Sequence, residues 1–205
     1  MEWNQAAGTG SLYALQSIPT NTPIVLNYLG FGGLAPAWQR RKDLRKHYKF
    51  DCDCQSCNLH GHELIADNTA RQRARAQFYE LEDSENQMQN PRAFAKLVTA
   101  ATRYIEYLQQ LNINDDRLAY GYNKLAELRE QQAEDADEDI MHGLQHCNDC
   151  HANGGVMRHL IQAREAWNEC QEIDQLTHGP DHPQLEVTRK ALEKVHRLIS
   201  RLKWV

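Results

Sequence analysis

The sequence predicts a mostly α-helical chain: a helical array preceded by a small β segment and a cysteine-rich junction. Three observations predict it. Apolar residues recur at three- and four-residue steps from about residue 61 to the end. Short runs rich in β-branched and aromatic residues fall before residue 33. Three cysteines crowd into positions 52–57, at the boundary between the two halves.

Residues 1–33 read as β. Ser11, Leu12, Tyr13, Ala14 and Leu15 form one run, and residues 24–29 form another. The segment Pro19-Thr20-Asn21-Thr22-Pro23 between them reads as a turn, and Gly30, Gly32 and Gly33 end the second run. So few short strands do not make a stable sheet alone, so this segment must pack on something else. A short helix is expected over 36–50, with Pro36 in its first turn and Trp38, Arg41, Leu44 and Tyr48 at loose helical spacing.

Beyond residue 61 the periodicity is helical throughout. Leu97, Ala100, Ala101, Tyr104 and Leu108 mark one stripe, and Leu118, Tyr122, Leu125, Ala126 and Leu128 mark a second. Leu160, Ala163, Ala166, Trp167 and Cys170 form a third, and Leu185, Thr188, Ala191, Leu192, Val195, Leu198, Ile199 and Leu202 a fourth. Pro91, residues 112–115, residues 153–155 and Gly179-Pro180 punctuate them. Segments 104–130 and 169–195 share one order, helix, polar turn, Ala/Leu-rich helix, which is a weak internal repeat. With the turn Gly179-Pro180-Asp181-His182-Pro183 it resembles a tetratricopeptide-like array, and a plain helical bundle stays open beside it. The expected divisions are 1–35, 36–62 and 63–205.

Bulk composition narrows the function classes. With 41% hydrophobic residues the chain can build a core. A net charge of −5 argues against broad nucleic-acid binding, which needs a basic surface. No run approaches the roughly 18 apolar residues of a membrane span. The N-terminal stretch has neither the basic nor the apolar region of a secretory signal. A reducing compartment, nucleus or cytoplasm, is therefore expected, and clustered cysteines there favour a metal over disulfides.

Phe50-Asp51-Cys52-Asp53-Cys54-Gln55-Ser56-Cys57 is a C-x-C-x2-C motif. Zinc takes four soft or borderline ligands in a tetrahedron, and thiolates at this spacing can wrap one ion. Asp51 and Asp53 would be odd in an apolar core, which speaks against three unconnected buried cysteines. Three ligands leave one position to fill.

Gln39-Arg40, Leu44, Tyr48, Phe50 and the three cysteines together are similar to the SET-to-post-SET junction of lysine methyltransferases. The resemblance is to the SET-and-MYND type and related fungal SET proteins. Residues 24–29 resemble the last SET strands, Glu2-Trp3-Asn4 the strand after that family's Asn-His-x-Cys segment, and the helical half its tetratricopeptide-like domain. The resemblance implies that Tyr28 is the phenol beside the transferred methyl group. It implies that Tyr48 lines the lysine channel and that Phe50 packs on the adenine of S-adenosylmethionine. Aromatic walls suit an alkylammonium through cation–π attraction. It implies a lysine-containing protein or peptide as partner; charge and hydropathy add the expectation of no direct nucleic-acid contact and no membrane.

The sequence also departs from that family. The early SET glycine motif, the Asn-His-x-Cys segment with the fourth zinc cysteine, and the MYND finger are absent, and Asn21-Thr22-Pro23 replaces the Gly-Glu-Glu-like turn. The expectation is an N-terminally truncated SET protein, inactive alone; His60 and His62, three and five residues after Cys57, are candidates to close its zinc site, and a pair of exposed loop histidines stays open beside that reading. The alternative is a zinc-stapled helical module that binds proteins without catalysis.

Three further clusters are expected to be incidental. Cys147-Asn148-Asp149-Cys150-His151 matches a haem-attachment pattern, and His142 and His146 make a second zinc site conceivable, but a helix–helix loop is the simpler reading. The acidic run 134–139 and the basic cluster of Arg40, Arg41, Lys42, Arg45 and Lys46 read as solvated surface.

Overall fold

The computed structural model describes residues 2–4, 9–11, 14–15, 17–22, 24, 26–83, 91–141 and 151–202. Among them six α-helices make the architecture: α1 (Ala37–Tyr48), α2 (Gly61–Glu82), α3 (Pro91–Gln110), α4 (Asp116–Met141), α5 (His151–His178) and α6 (Pro183–Leu202). A 3-10 turn at Gly30–Leu34 precedes α1. No described helix is long and apolar enough to cross a membrane.

The β expectation needs correction. Among the described residues the strands are β1 (Glu2–Asn4) and β2 (Thr9–Ser11), a short antiparallel ladder with Trp3 opposite Gly10. Past Ser11, the described residues of both expected runs are irregular. Ile24 is 73% exposed and Leu26 43%. Strand preference reflects fit to a pleated, half-buried surface, and no described strand lies beside residues 24–29 to supply one. The expected turn is present: the Thr22 amide donates to the Pro19 carbonyl at 3.1 Å.

The helices follow their apolar periods. Leu97, Ala100, Ala101, Tyr104 and Leu108 are buried on α3, and Leu160, Ala163, Ala166, Trp167 and Cys170 on α5. On α6 Thr188, Leu192, Val195 and Ile199 are buried. Pro91 opens α3, where its missing N–H leaves no bond unmade. After α3 the chain turns at Asn112 (φ 51°), and after α5 at Gly179 (φ 83°), whose amide donates to the Gln175 carbonyl at 3.0 Å. Residues 153–155, expected as a break, instead lie in the first turns of α5. The long buried stripe that follows outweighs the helix cost of the two glycines, about 1 kcal/mol each.

On α1 the buried positions are Ala37, Arg40 and Leu44, and Trp38 faces solvent. Pro36 is the residue before the first helical position rather than within the turn.

Consecutive helices pack on one another: α2 on α3, α3 on α4, α4 on α5 and α5 on α6. The closest seam lets Gly121 of α4 meet α3. A Cβ there would stand 2.9 Å from the Tyr104 ring and 3.0 Å from Ile105. Polar ties cross the core as well. Trp167 Nε1 donates to Glu130 at 2.5 Å and Lys194 Nζ to the same carboxylate at 2.8 Å, joining α4, α5 and α6.

Gly121→Ala sets about 1 kcal/mol of helix propensity gained against about 1–3 kcal/mol of overpacking lost. The expected outcome is a melting temperature lowered by a few degrees in a circular dichroism melt. An unchanged or raised melting temperature would show that Tyr104 and Ile105 yield freely.

Candidate metal centre and aromatic cluster

The metal loop begins where α1 stops. Lys49 takes a left-handed conformation (φ 62°) past the end of α1 and reverses the chain. The loop then tightens: the Cys57 and Asn58 amides both donate to the Cys54 carbonyl, at 2.9 and 3.0 Å. The Asn58 side chain closes it by donating to the Asp53 carbonyl at 2.8 Å. As a result the sulfurs of Cys52, Cys54 and Cys57 all lie within 4.8 Å of one another. Thiolates about 2.3 Å from a tetrahedral ion sit about 3.8 Å apart, so the loop must contract little to hold one. The three cysteines can hold a metal ion, and the donor set is compatible with zinc.

Burial and charge differ around the three sulfurs. Cys57 is buried, Cys52 half-buried and Cys54 exposed. Burial pushes the Cys52 thiol up to about 11. Burial also raises Cys54, but hydrogen bonds from the Cys57 amide and from the neighbouring thiols, with the Arg40 charge, more than offset it and hold that thiol below its ordinary value. Arg40 lies under the loop. Its Nη2 donates to the Ser56 carbonyl at 3.0 Å and stands 4.0 Å from Cys57 Sγ, and its Nη1 donates to the Ala35 carbonyl at 2.8 Å. Arg41 donates to the Cys57 carbonyl and to Asn58.

Neither His60 nor His62 belongs to the close group of donors, and both are exposed at the start of α2. Cys147 and Cys150, with His142 and His146, lie outside the described residues.

The structure brings the other three expected site residues together. Tyr28 packs edge-on against Tyr48 with ring centroids 5.1 Å apart and against Phe50 at 5.2 Å. The Tyr48 hydroxyl donates to the Tyr28 carbonyl at 3.0 Å. Both tyrosines are about half exposed, 45% and 48%, so the cluster opens to solvent. Tyr28 is held from the helical side. The Asn27 side chain donates to Asp115 at 3.2 Å and accepts from the amides of Leu29 and Gly30. Asp115 also accepts two hydrogen bonds from the Arg117 side chain, at 2.8 and 2.6 Å, and one from its amide at 3.2 Å. Burial raises that carboxyl, but the Arg117 bonds and charge outweigh it and the net shift is downward.

Sequence reasoning missed the residues that position the site. Arg40, read as surface, is 4% exposed. Asp67 accepts from Arg71 at 2.7 and 3.1 Å and lies 3.6 Å from Arg40. Arg71 donates in turn to the Gly33 carbonyl at 2.7 Å. The available signal was positional: Arg40 sits on the same helical stripe as Ala37 and Leu44.

The sequence matches no family model, and no curated protein matches it.

Metal binding must displace thiol protons, so apparent affinity for zinc or cobalt should rise about tenfold per pH unit for each proton released. A cobalt titration read at the thiolate charge-transfer band should show this and should lose the band in Cys57→Ser. A pH-independent affinity, or an unaltered band in that variant, would remove the thiolate site.

Proposed function

We propose that this chain is a metal-stapled helical protein whose aromatic cluster receives a lysine side chain, in the manner of a SET-type lysine methyltransferase. The observation that carries this reading is the convergence of Tyr28, Tyr48 and Phe50 beside the three-cysteine loop. Two half-exposed phenol rings at an edge offer π faces to an alkylammonium. The motif that supplies the rings also supplies the thiolates, so the staple fixes the cluster's far side. In this reading zinc occupies the cysteine site, residues 1–35 belong to the SET portion, 36–62 to the post-SET junction and 63–205 to a tetratricopeptide-like array. The paired hairpins α3–α4 and α5–α6, each turning on a left-handed residue, support the array. The partner is a lysine-containing protein or peptide, met in the nucleus or cytoplasm. A ligand from beyond the three thiols completes the zinc tetrahedron, His60 or His62 after a loop movement being the local candidates.

S-adenosylmethionine fits these residues poorly. The depressions at residues 38–46 and at residues 77–103 are not lined by Tyr28, Tyr48 or Phe50, and the sequence lacks that family's glycine and Asn-His-x-Cys cofactor segments. The chain therefore supplies the lysine-facing side and the staple, and methyl transfer by these residues alone is not expected. The same features serve a second reading, a zinc-stapled module that binds peptides without catalysis.

Peptide binding separates these readings. A peptide bearing trimethyllysine should bind more tightly than one with norleucine at that position, and Tyr28→Ala should cut the preference several-fold. Equal binding of the two peptides would remove the lysine-receiving cluster. Calorimetry should detect no S-adenosylmethionine binding, and a micromolar heat would overturn the statement that methyl transfer needs more than these residues.

A further inference from the structure

One face of α1 lies outside the core; Arg41 and Arg45 on it reach the metal loop, at Cys57, Asn58 and Asp51, and Lys42 and Lys46 do not. Trp38, Arg41, Lys42, Arg45 and Lys46 line an open depression of about 560 Å³. Steps of three and four residues set them on one stripe of the helix, about 12 Å long at 1.5 Å per residue. Tyr48, three residues past Arg45, continues that stripe into the aromatic cluster. Trp38 is 65% exposed. Lys42 and Lys46 are exposed, and no carboxylate among the described residues pairs with either. The chain carries a net charge of −5, so four cations on one stripe do not follow from composition.

The fold itself shows which ligand chemistry the stripe accepts. Asp51 lies across it, taking hydrogen bonds from Arg45 Nε at 2.7 Å and from Arg45 Nη2 at 2.5 Å. A carboxylate is therefore already seated on Arg45, and the cations at 42 and 46 complement more of them. We propose that the α1 stripe binds acidic peptide segments and selects, for the aromatic cluster, lysines flanked by Glu or Asp. The second half of that statement rests on the lysine-receiving reading of Tyr28 and Tyr48, and the first half does not. An extended peptide advances about 3.3 Å per residue, so about four residues span the stripe. Carboxylates on alternate residues then fall about 6.6 Å apart, close to the rise of about 6.0 Å over the four residues from Lys42 to Lys46. Nucleic acid fits less well, because its affinity comes from many phosphate contacts along a long footprint, and this stripe is short and set in an acidic chain.

The test is fluorescence anisotropy at low salt with a fluorescein-labelled Glu-Ala repeat peptide that contains no lysine. Binding should weaken as salt rises, and a Gln-Ala peptide should not bind. The Lys42→Glu/Lys46→Glu double variant, with helical circular dichroism unchanged, should weaken binding about tenfold. Equal binding of the two peptides, no binding at all, an unaffected double variant, or tighter binding of a thymidine oligonucleotide would each overturn the proposal. If Tyr28→Ala loses trimethyllysine preference but keeps the Glu-Ala peptide, the stripe stands. If the double variant loses the Glu-Ala peptide but keeps that preference, the stripe is supported and the cluster reading is left intact.

Discussion

Asp67 is the single carboxylate on which the junction between the N-terminal segment, the metal loop and the helices depends. It stands between two buried arginines, bidentate to Arg71 and 3.6 Å from Arg40. The remaining donors of those arginines reach the carbonyls of Gly33, Ala35 and Ser56. The neighbouring Asn68 caps α1 by accepting from the Ala37 amide at 2.8 Å. Two adjacent side chains of α2 therefore set the path of the chain before α1, the start of α1 and the back of the cysteine loop. A buried charge left without its partner costs about 3–5 kcal/mol, so loss of Asp67 would strand two guanidinium groups and release all three segments together. Arg40 has a second use. Were a divalent ion held by three thiolates, a surplus negative charge would remain, and a buried guanidinium 4.0 Å from Cys57 Sγ would offset it.

A second anchor lies on the other side of the aromatic cluster. Asn27 is tied to Asp115 in the turn before α4. Phe31 packs on Phe78 of α2 at 4.7 Å and on Tyr120 of α4 at 6.0 Å. The chain from 27 to 34 is thus fastened to the helices at both ends, and Tyr28 sits beside one fastening. Upstream the character changes, since Ile18, Ile24 and Leu26 remain exposed. Tyr28 belongs to the fixed part, which is why the rings of Tyr48 and Phe50 can meet it from across the cysteine junction.

The helices were legible because a buried stripe leaves its period in the sequence, as Leu160 to Cys170 shows. The cysteine cluster was legible because short spacing constrains where three sulfurs can be. The apolar runs near 11–15 and 24–29 misled, since residue type records a preference for a sheet but not whether a neighbouring strand exists. Arg40 misled in the opposite sense. A buried arginine is spelled like an exposed one, and its partner Asp67 lies 27 positions away on another helix. Asn27 gave no signal at all, because its tie to Asp115 spans 88 residues. The grouping of Tyr28, Tyr48 and Phe50 came from resemblance rather than from periodicity, and contacts at 5.1 and 5.2 Å give it a geometry.

The arginine pair at the junction also restricts how the sequence can drift. A lysine at 40 or 71 would preserve charge but present one nitrogen where a fork must reach a carboxylate and a carbonyl at once. At 42 and 46, where the exposed side chains pair with no carboxylate among the described residues, either cation would serve. What most distinguishes this junction is therefore not its apolar residues but a sparse signature. It consists of an arginine four residues before the buried leucine of the short helix, the C-x-C-x2-C loop, and an Asp-Asn-x2-Arg turn in the helix that follows.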